Sequence, residues 1–302
     1  MAKLSLQDGE LARANITLAQ ERKIAKLYRD VYDSAKAQLE AMPKNDSTSS
    51  SLKRLYLKQI TKQLDAAYRE VRSKVESEVK SNLEKTSEAV VKDVNAFSES
   101  AGLKVKGAYS YVPKDIVQSL TTGQLYGGDW TLSKALWGQE RKTTGDIQTI
   151  VAQGIAANKS AYDIAKDLEQ YVNPSAKKEW DWSKVYPGTN KKIDYNAQRL
   201  ARTMVSHAYQ QSLLTTTKHN PFVKGYRWRA AHTNRTCEIC ADRDGQIFTA
   251  DDLPLDHPNG MCTFICEIPE SMDQIADRLA DWAGGSSDDG IENWYNSMLR
   301  GE

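Results

Sequence analysis

The sequence predicts a mainly α fold with a small β-rich C-terminal module (α+β), led by a long N-terminal helical arm. Three observations carry this. Apolar residues recur at steps of three and four through most of the first 218 positions, the period of a helix with one buried face. From Asn220-Pro221 onward the pattern changes to alternation, the period of a strand. All four cysteines then fall together, at Cys237, Cys240, Cys262 and Cys266.

The elements follow in order. Leu11, Ile16, Leu18, Ile24, Leu27, Tyr28, Val31, Tyr32, Ala35 and Leu39 predict a helix over about 9–42. Pro43 and the polar run Asn45 to Ser51 end it, because proline cannot continue a helix and Ser and Asn compete for its backbone. A second stripe from Leu57 to Phe97, free of Gly and Pro over 52–101, predicts a helix reaching about 70 Å at 1.5 Å per residue. So narrow a stripe on so long a helix calls for a partner helix, and an antiparallel hairpin with 9–42 is preferred over pairing with another chain. Residues 103–112 alternate weakly and suggest a short extended piece. Pro113 suits the first turn of a helix to about Tyr126. Further helices are expected at 131–157, at 161–172 with Ser160 as its cap, and at 194–218. Between the last two lies a loop, 175–193, rich in Trp and Lys. Phe222–Ala230, Gln246–Thr249 and Cys262–Ile268 read as strands, and 270–283 and 291–299 as short closing helices. The chain thus divides into an extended helical arm (1–101, a helical hairpin or coiled coil), a helical middle (102–221), a β-rich module (222–268) and an acidic helical tail (269–302).

Composition excludes several classes. No run of about eighteen apolar residues offers a membrane span. The first residues lack the apolar core of a signal peptide, so a soluble protein that stays where it is made is expected. The net charge of +1 conceals two opposed parts: residues 1–235 carry a net +13 and residues 236–302 a net −12. Such asymmetry suits a polyanionic partner for the body, contact between the two parts, or simply long solvated helices. Within the body, Lys177, Lys178, Lys184, Lys191 and Lys192 beside Trp180 and Trp182 are the candidate nucleic-acid contacts, with a surface loop anchored by its aromatics as the bland alternative. The acidic end suits a protein partner better than DNA.

The cysteine spacing carries the chemistry. Cys237-x2-Cys240 puts two thiolates on one tight turn, and His257 and Cys262 complete a Cys3His set, with Cys266 as the alternative ligand. Four N/S ligands leave no open position, so the ion would be structural, and Zn2+ fits by softness and geometry. Reduced structural thiols, or a redox or disulfide role, are the competing readings. Asp256-His257 after a C-x2-C pair also resembles the ββα-metal nucleases, but those need a second histidine downstream, and none follows His257. His207, His219 and His232 are read as core or surface residues.

The stretch Arg227-Trp228-Arg229-Ala230, then Arg235-Thr236-Cys237-Glu238-Ile239-Cys240, Asp244-Gly245, and Pro254 to Thr263 resembles the signature of the phage Mu F-like minor head proteins, or phage head morphogenesis proteins. Leu136-Trp137, Lys159-Ser160, Ile164-Ala165 and Arg199-Leu200-Ala201-Arg202-Thr203 extend the resemblance over about 130–268. Many members carry H-P-x-C-R-C, where this chain has Gly260 at the first cysteine position and keeps Cys262 at the second. Many have R-T-E where this chain has Arg202-Thr203-Met204. The resemblance implies a non-catalytic minor capsid protein inside the phage head, present in host cytoplasm during assembly. Its implied partners are the portal protein, capsid or scaffolding protein, and double-stranded DNA, with no membrane; its implied roles are procapsid assembly and genome delivery. A metal-dependent DNA-processing enzyme, and a zinc-stapled adaptor with no viral role, are the alternatives from other classes.

Overall fold

A computed structural model describes residues 2–40, 50–157, 159–173, 195–233, 236–258 and 260–299. Among them the helices are α1 (Gln7–Glu40), α2 (Ser50–Ser100), α3 (Val112–Thr122), α4 (Leu132–Ala156), α5 (Ala161–Val172), α6 (Tyr195–Thr217), α7 (Glu238–Arg243), α8 (Met272–Ala283) and α9 (Asp289–Met298). The strands are β1 (Gly225–Arg229), β2 (Ile247–Phe248) and β3 (Thr263–Glu267). The expected mainly α protein with a small C-terminal sheet is what forms. No described helix is long and apolar enough to cross a membrane. The lysines of 175–193 lie outside the described residues.

Packing gathers these elements into two compact units assembled from separated stretches. One comprises Met1–Leu18, Val79–Asp129 and Leu200–Glu302, the other Ala19–Glu78 and Trp130–Arg199.

In the second unit α1 and α2 run antiparallel. Lys23 pairs with Glu78, and the Tyr28 and Tyr68 rings meet at 5.9 Å. Ile24, Val31 and Ala35 are buried with Leu57, Ile60, Leu64, Val71 and Val75, so the stripe that the sequence displays is the hairpin seam. α4 starts on the Thr131 cap and α5 on Ser160, whose hydroxyl accepts the Asp163 amide at 3.0 Å. α4 and α5 pack closely at Gly154, where an added Cβ would lie 2.6 Å from Ile164 Cγ1. Gly154→Ala is therefore expected to overpack the contact and cost about 1–3 kcal/mol. Alanine at Gly138 or Gly145 of the same helix meets nothing within 4 Å and is expected to stabilise by about 0.5–1 kcal/mol through helix propensity. Urea midpoints of the three variants decide between these opposite signs.

The first unit is organised on α6, which is buried on nearly all sides from Ala201 to Leu213. The sequence suggests a single apolar face; the structure buries the polar face too. Several of these polar groups meet partners: Ser212 Oγ meets Ser87 Oγ at 2.8 Å, and His207 and Gln210 reach the loop described below. The sheet has order β2-β1-β3, both pairings antiparallel, with Tyr226 opposite Phe248 and Cys266 and Trp228 opposite Phe264. Alternation in β1 sends Tyr226 and Trp228 inward. It turns Arg227 and Arg229 outward to Glu267 and Glu10.

Two sequence expectations are corrected here. No strand forms at 103–111: 103–105 are irregular and 106–111 make turns, with Gly102, Gly107 and Tyr109 at positive φ (91°, 75° and 58°). A buried Tyr109, held by its amide to the Met298 carbonyl at 2.9 Å, accounts for the apolar residues that imitated a strand. The second correction is α7, which replaces the expected turn at the C-x2-C pair. Six residues are too few to show a period.

Candidate metal centre

Cys237 is the N-cap of α7, with extended backbone, and Cys240 lies one turn inside the helix with no exposure. This placement turns both sulfurs toward one side, because residues three apart share a helix face. Cys240 packs with Trp228, Ala230 and Cys262, and Cys237, Phe248 and Leu253 border that cluster. The core of the small sheet and the candidate ligands are therefore one structure.

The other arm of the site is the loop from Asp256 to Cys262, which leads into β3. The ligand atoms of Cys237, Cys240 and His257 lie within 4.8 Å of one another, and so do those of Cys240, Asp256 and Cys262. Cys240 belongs to both groups, with Cys237 and His257 as its neighbours in one and Asp256 and Cys262 in the other. Cys266 is in neither. It sits in β3 opposite Tyr226, where burial pushes its thiol up to about 12. Asp256 is the residue that spacing alone marked only as half of a nuclease-like pair.

The electrostatics suit an ion. The Cys240 amide, with His257 nearby, holds the Cys237 thiol below its ordinary range. Burial raises the Cys240 and Cys262 thiols, so without an ion both stay protonated. Burial opposes charge on His257, but the Pro258 carbonyl, Asp256 and Cys237 outweigh it and its pKa rises. Cys237, Cys240 and His257 form a group of soft donors, and Cys262 stands beside Cys240 in the second group. An ion there would displace the thiol protons, so its affinity would rise with pH.

Buried polar groups fix the loop from outside. His207 on α6 donates from Nε2 to the Asp256 carbonyl and accepts from the Tyr126 hydroxyl at Nδ1, each at 2.8 Å. Burial lowers its pKa, which agrees with a neutral ring that is one donor and one acceptor. Gln210 accepts the Asp256 amide at 3.1 Å and donates to the Cys262 carbonyl at 3.3 Å. Arg13 of α1, buried and stacked 4.9 Å over the Tyr209 ring, donates to the same carbonyl at 3.2 Å. His232 pairs with Asp244 at 3.2 Å. None of these supports was readable from spacing, since Gln210 and Arg13 lie 52 and 249 positions from Cys262.

The fold and the site together define a mainly helical protein whose small antiparallel sheet is closed by a metal-competent sulfur and imidazole cluster. Residues 145–267 match the family described as Phage Mu protein F like protein. The matched residues run from the middle of α4 to the last residue of β3 and contain every candidate ligand. No curated protein and no solved structure matches the chain.

Proposed function

We propose that the protein is a minor head protein of a phage, a non-catalytic component that acts in head morphogenesis. In this reading it lies inside the head, associates with the portal and contacts packaged DNA. The observation that carries it is the family match over 145–267, which spans the whole cysteine and histidine cluster. Cys237, Cys240, His257 and Cys262 would hold a structural Zn2+, with Cys266 outside the site. The ion would supply a cross-link between α7 and the strand-leading loop, in place of the larger core that a sheet of this size lacks. The polar contacts of Asp256 also favour a structural centre. Both carboxylate oxygens accept backbone amides, which leaves this group poorly placed to activate a water.

Charge supports a nucleic-acid role for the basic body, residues 1–235, and a protein-facing role for the acidic end. The decisive test of the head role is composition. Mass spectrometry of purified heads should find the chain, and assembly without it should yield defective heads. Normal heads that lack the protein would overturn the reading. Co-purification with the portal protein tests that partner directly. Binding of the full chain to double-stranded DNA across a salt series is expected to weaken steeply, since phosphate contacts release counterions. A salt-independent affinity would remove direct phosphate contact from the proposal.

A further inference from the structure

The loop from His257 to Cys262 carries two of the candidate ligands. Asp256, immediately before it, is 3% exposed. Its Oδ1 accepts the His257 amide at 2.9 Å and its Oδ2 accepts the Cys262 amide at 3.0 Å. One carboxylate therefore spans the two ends of the loop. Gly260 makes the room for it: a Cβ there would lie 2.2 Å from both carboxylate oxygens and 2.3 Å from the carboxylate carbon. The glycine is required by space. Its amide closes the turn on the His257 carbonyl at 2.9 Å. From outside, Gln210 bridges the same two residues, Asp256 and Cys262, through their remaining backbone groups. Cys240 Sγ is 4.0 Å from Oδ1, beyond a strong hydrogen bond and close enough for the carboxylate to border the sulfur cluster.

We propose that Asp256 is a positioning residue of the metal centre, which sets the separation of His257 and Cys262 through their backbone amides and stays outside the coordination sphere. The inference rests on the metal reading above. Each oxygen of the carboxylate is aimed at a backbone amide, which fixes its orientation on the loop, and charge-assisted bonds of this kind are strong enough to hold a loop in one geometry. Supports of this kind commonly control affinity without touching the metal. Buried Arg13, which donates to the Cys262 carbonyl, brings a positive charge to the same loop.

The test uses Co2+ as the probe on the full chain, read by its sulfur charge-transfer and ligand-field bands and by chelator competition. Wild-type protein should give tetrahedral three-thiolate bands; their absence would sink the metal reading itself. With those bands present, Asp256→Asn should keep their position and intensity while affinity falls about 10–100-fold. The asparagine keeps the shape but turns an NH2 toward one of the two amides. Gly260→Ala, which touches no ligand, should produce the same loss with the same spectrum, and it decides the matter if Asp256→Asn does not fold. Altered bands in Asp256→Asn would make Asp256 a ligand and overturn the inference. An unchanged affinity in these variants would overturn it equally.

Discussion

Cys240→Ser in the full chain is expected to abolish metal retention and to unfold the sheet module at temperatures where the parent is intact. Cys240 is the one ligand common to both groups of the cluster, it has no exposure, and its side chain also fills the space among Trp228, Ala230 and Cys262. Serine there removes a thiolate and buries a hydroxyl in an apolar setting, so coordination and packing fail together. Structural zinc in small domains contributes on the order of 10 kcal/mol, far more than a domain's usual net stability. The measurements are elemental analysis and thermal unfolding, with chelator-treated parent as the reference. About one zinc per chain in the parent, none in the variant, and a chelated parent that melts like the variant would confirm the site. A parent that binds no metal and ignores chelator would leave four reduced thiols as the correct reading. Cys266→Ser serves as the control: it should keep the metal and lose only the stability of a buried thiol.

Trp294→Ala is expected to destabilise the first unit by about 3–5 kcal/mol, the cost of emptying a large buried aromatic site. Trp294 has no exposure, stands edge-on to Phe222 at 5.7 Å, and donates from Nε1 to the Tyr109 hydroxyl at 2.9 Å. Ile291 and Met298 of the same helix are buried beside it. Trp294→Phe keeps most of the packing and loses the hydrogen bond, so about 1 kcal/mol is expected. Denaturant midpoints of the two variants separate these contributions. A Trp294→Ala protein as stable as the parent would mean that α9 is dispensable to the fold.

That second result bears on the acidic C-terminal region. Its charge suggests a surface for a protein partner, and its acidic side chains do face outward along α8 and α9. The apolar sides of the same helices, with Ile275, Leu279, Ile291 and Trp294, are core. Arg278 ties them together by bonding Glu270 at 3.0 Å and Asp288 at 2.7 Å. The last helix of the chain thus holds the 106–111 turns in place, a duty that composition could not display.

Local signals were legible wherever they were strong. α5 spans 161–172 as expected, capped by Ser160 and ending at Asn173; α4, α6, α8 and the three strands lie within a few residues of their expected places. The hairpin of α1 and α2 was written in the stripe of Val and Leu, since a helix that long must cover its apolar face. Failures fell where a residue answers to a distant partner. Tyr109 has a positive φ where its amide meets the Met298 carbonyl and its hydroxyl the Trp294 indole, and α7 is too short to show a period.

For the site itself, residue types and spacing pointed to Cys237, Cys240, His257 and Cys262 as candidate ligands, because ligand chemistry depends on the atoms each side chain carries. Spacing preferred Cys262, which closes the turn begun at His257, and kept Cys266 as the alternative. In the tertiary structure Cys262 stands beside Cys240, just ahead of β3, whereas Cys266 lies four residues further on, paired with Tyr226 and outside both groups. Tertiary structure also decided that Asp256, Gln210, His207 and Arg13 support the loop. Hydrogen bonds between residues tens to hundreds of positions apart leave no periodicity in the chain; only the packing of α1 and α6 against the loop brings them within reach.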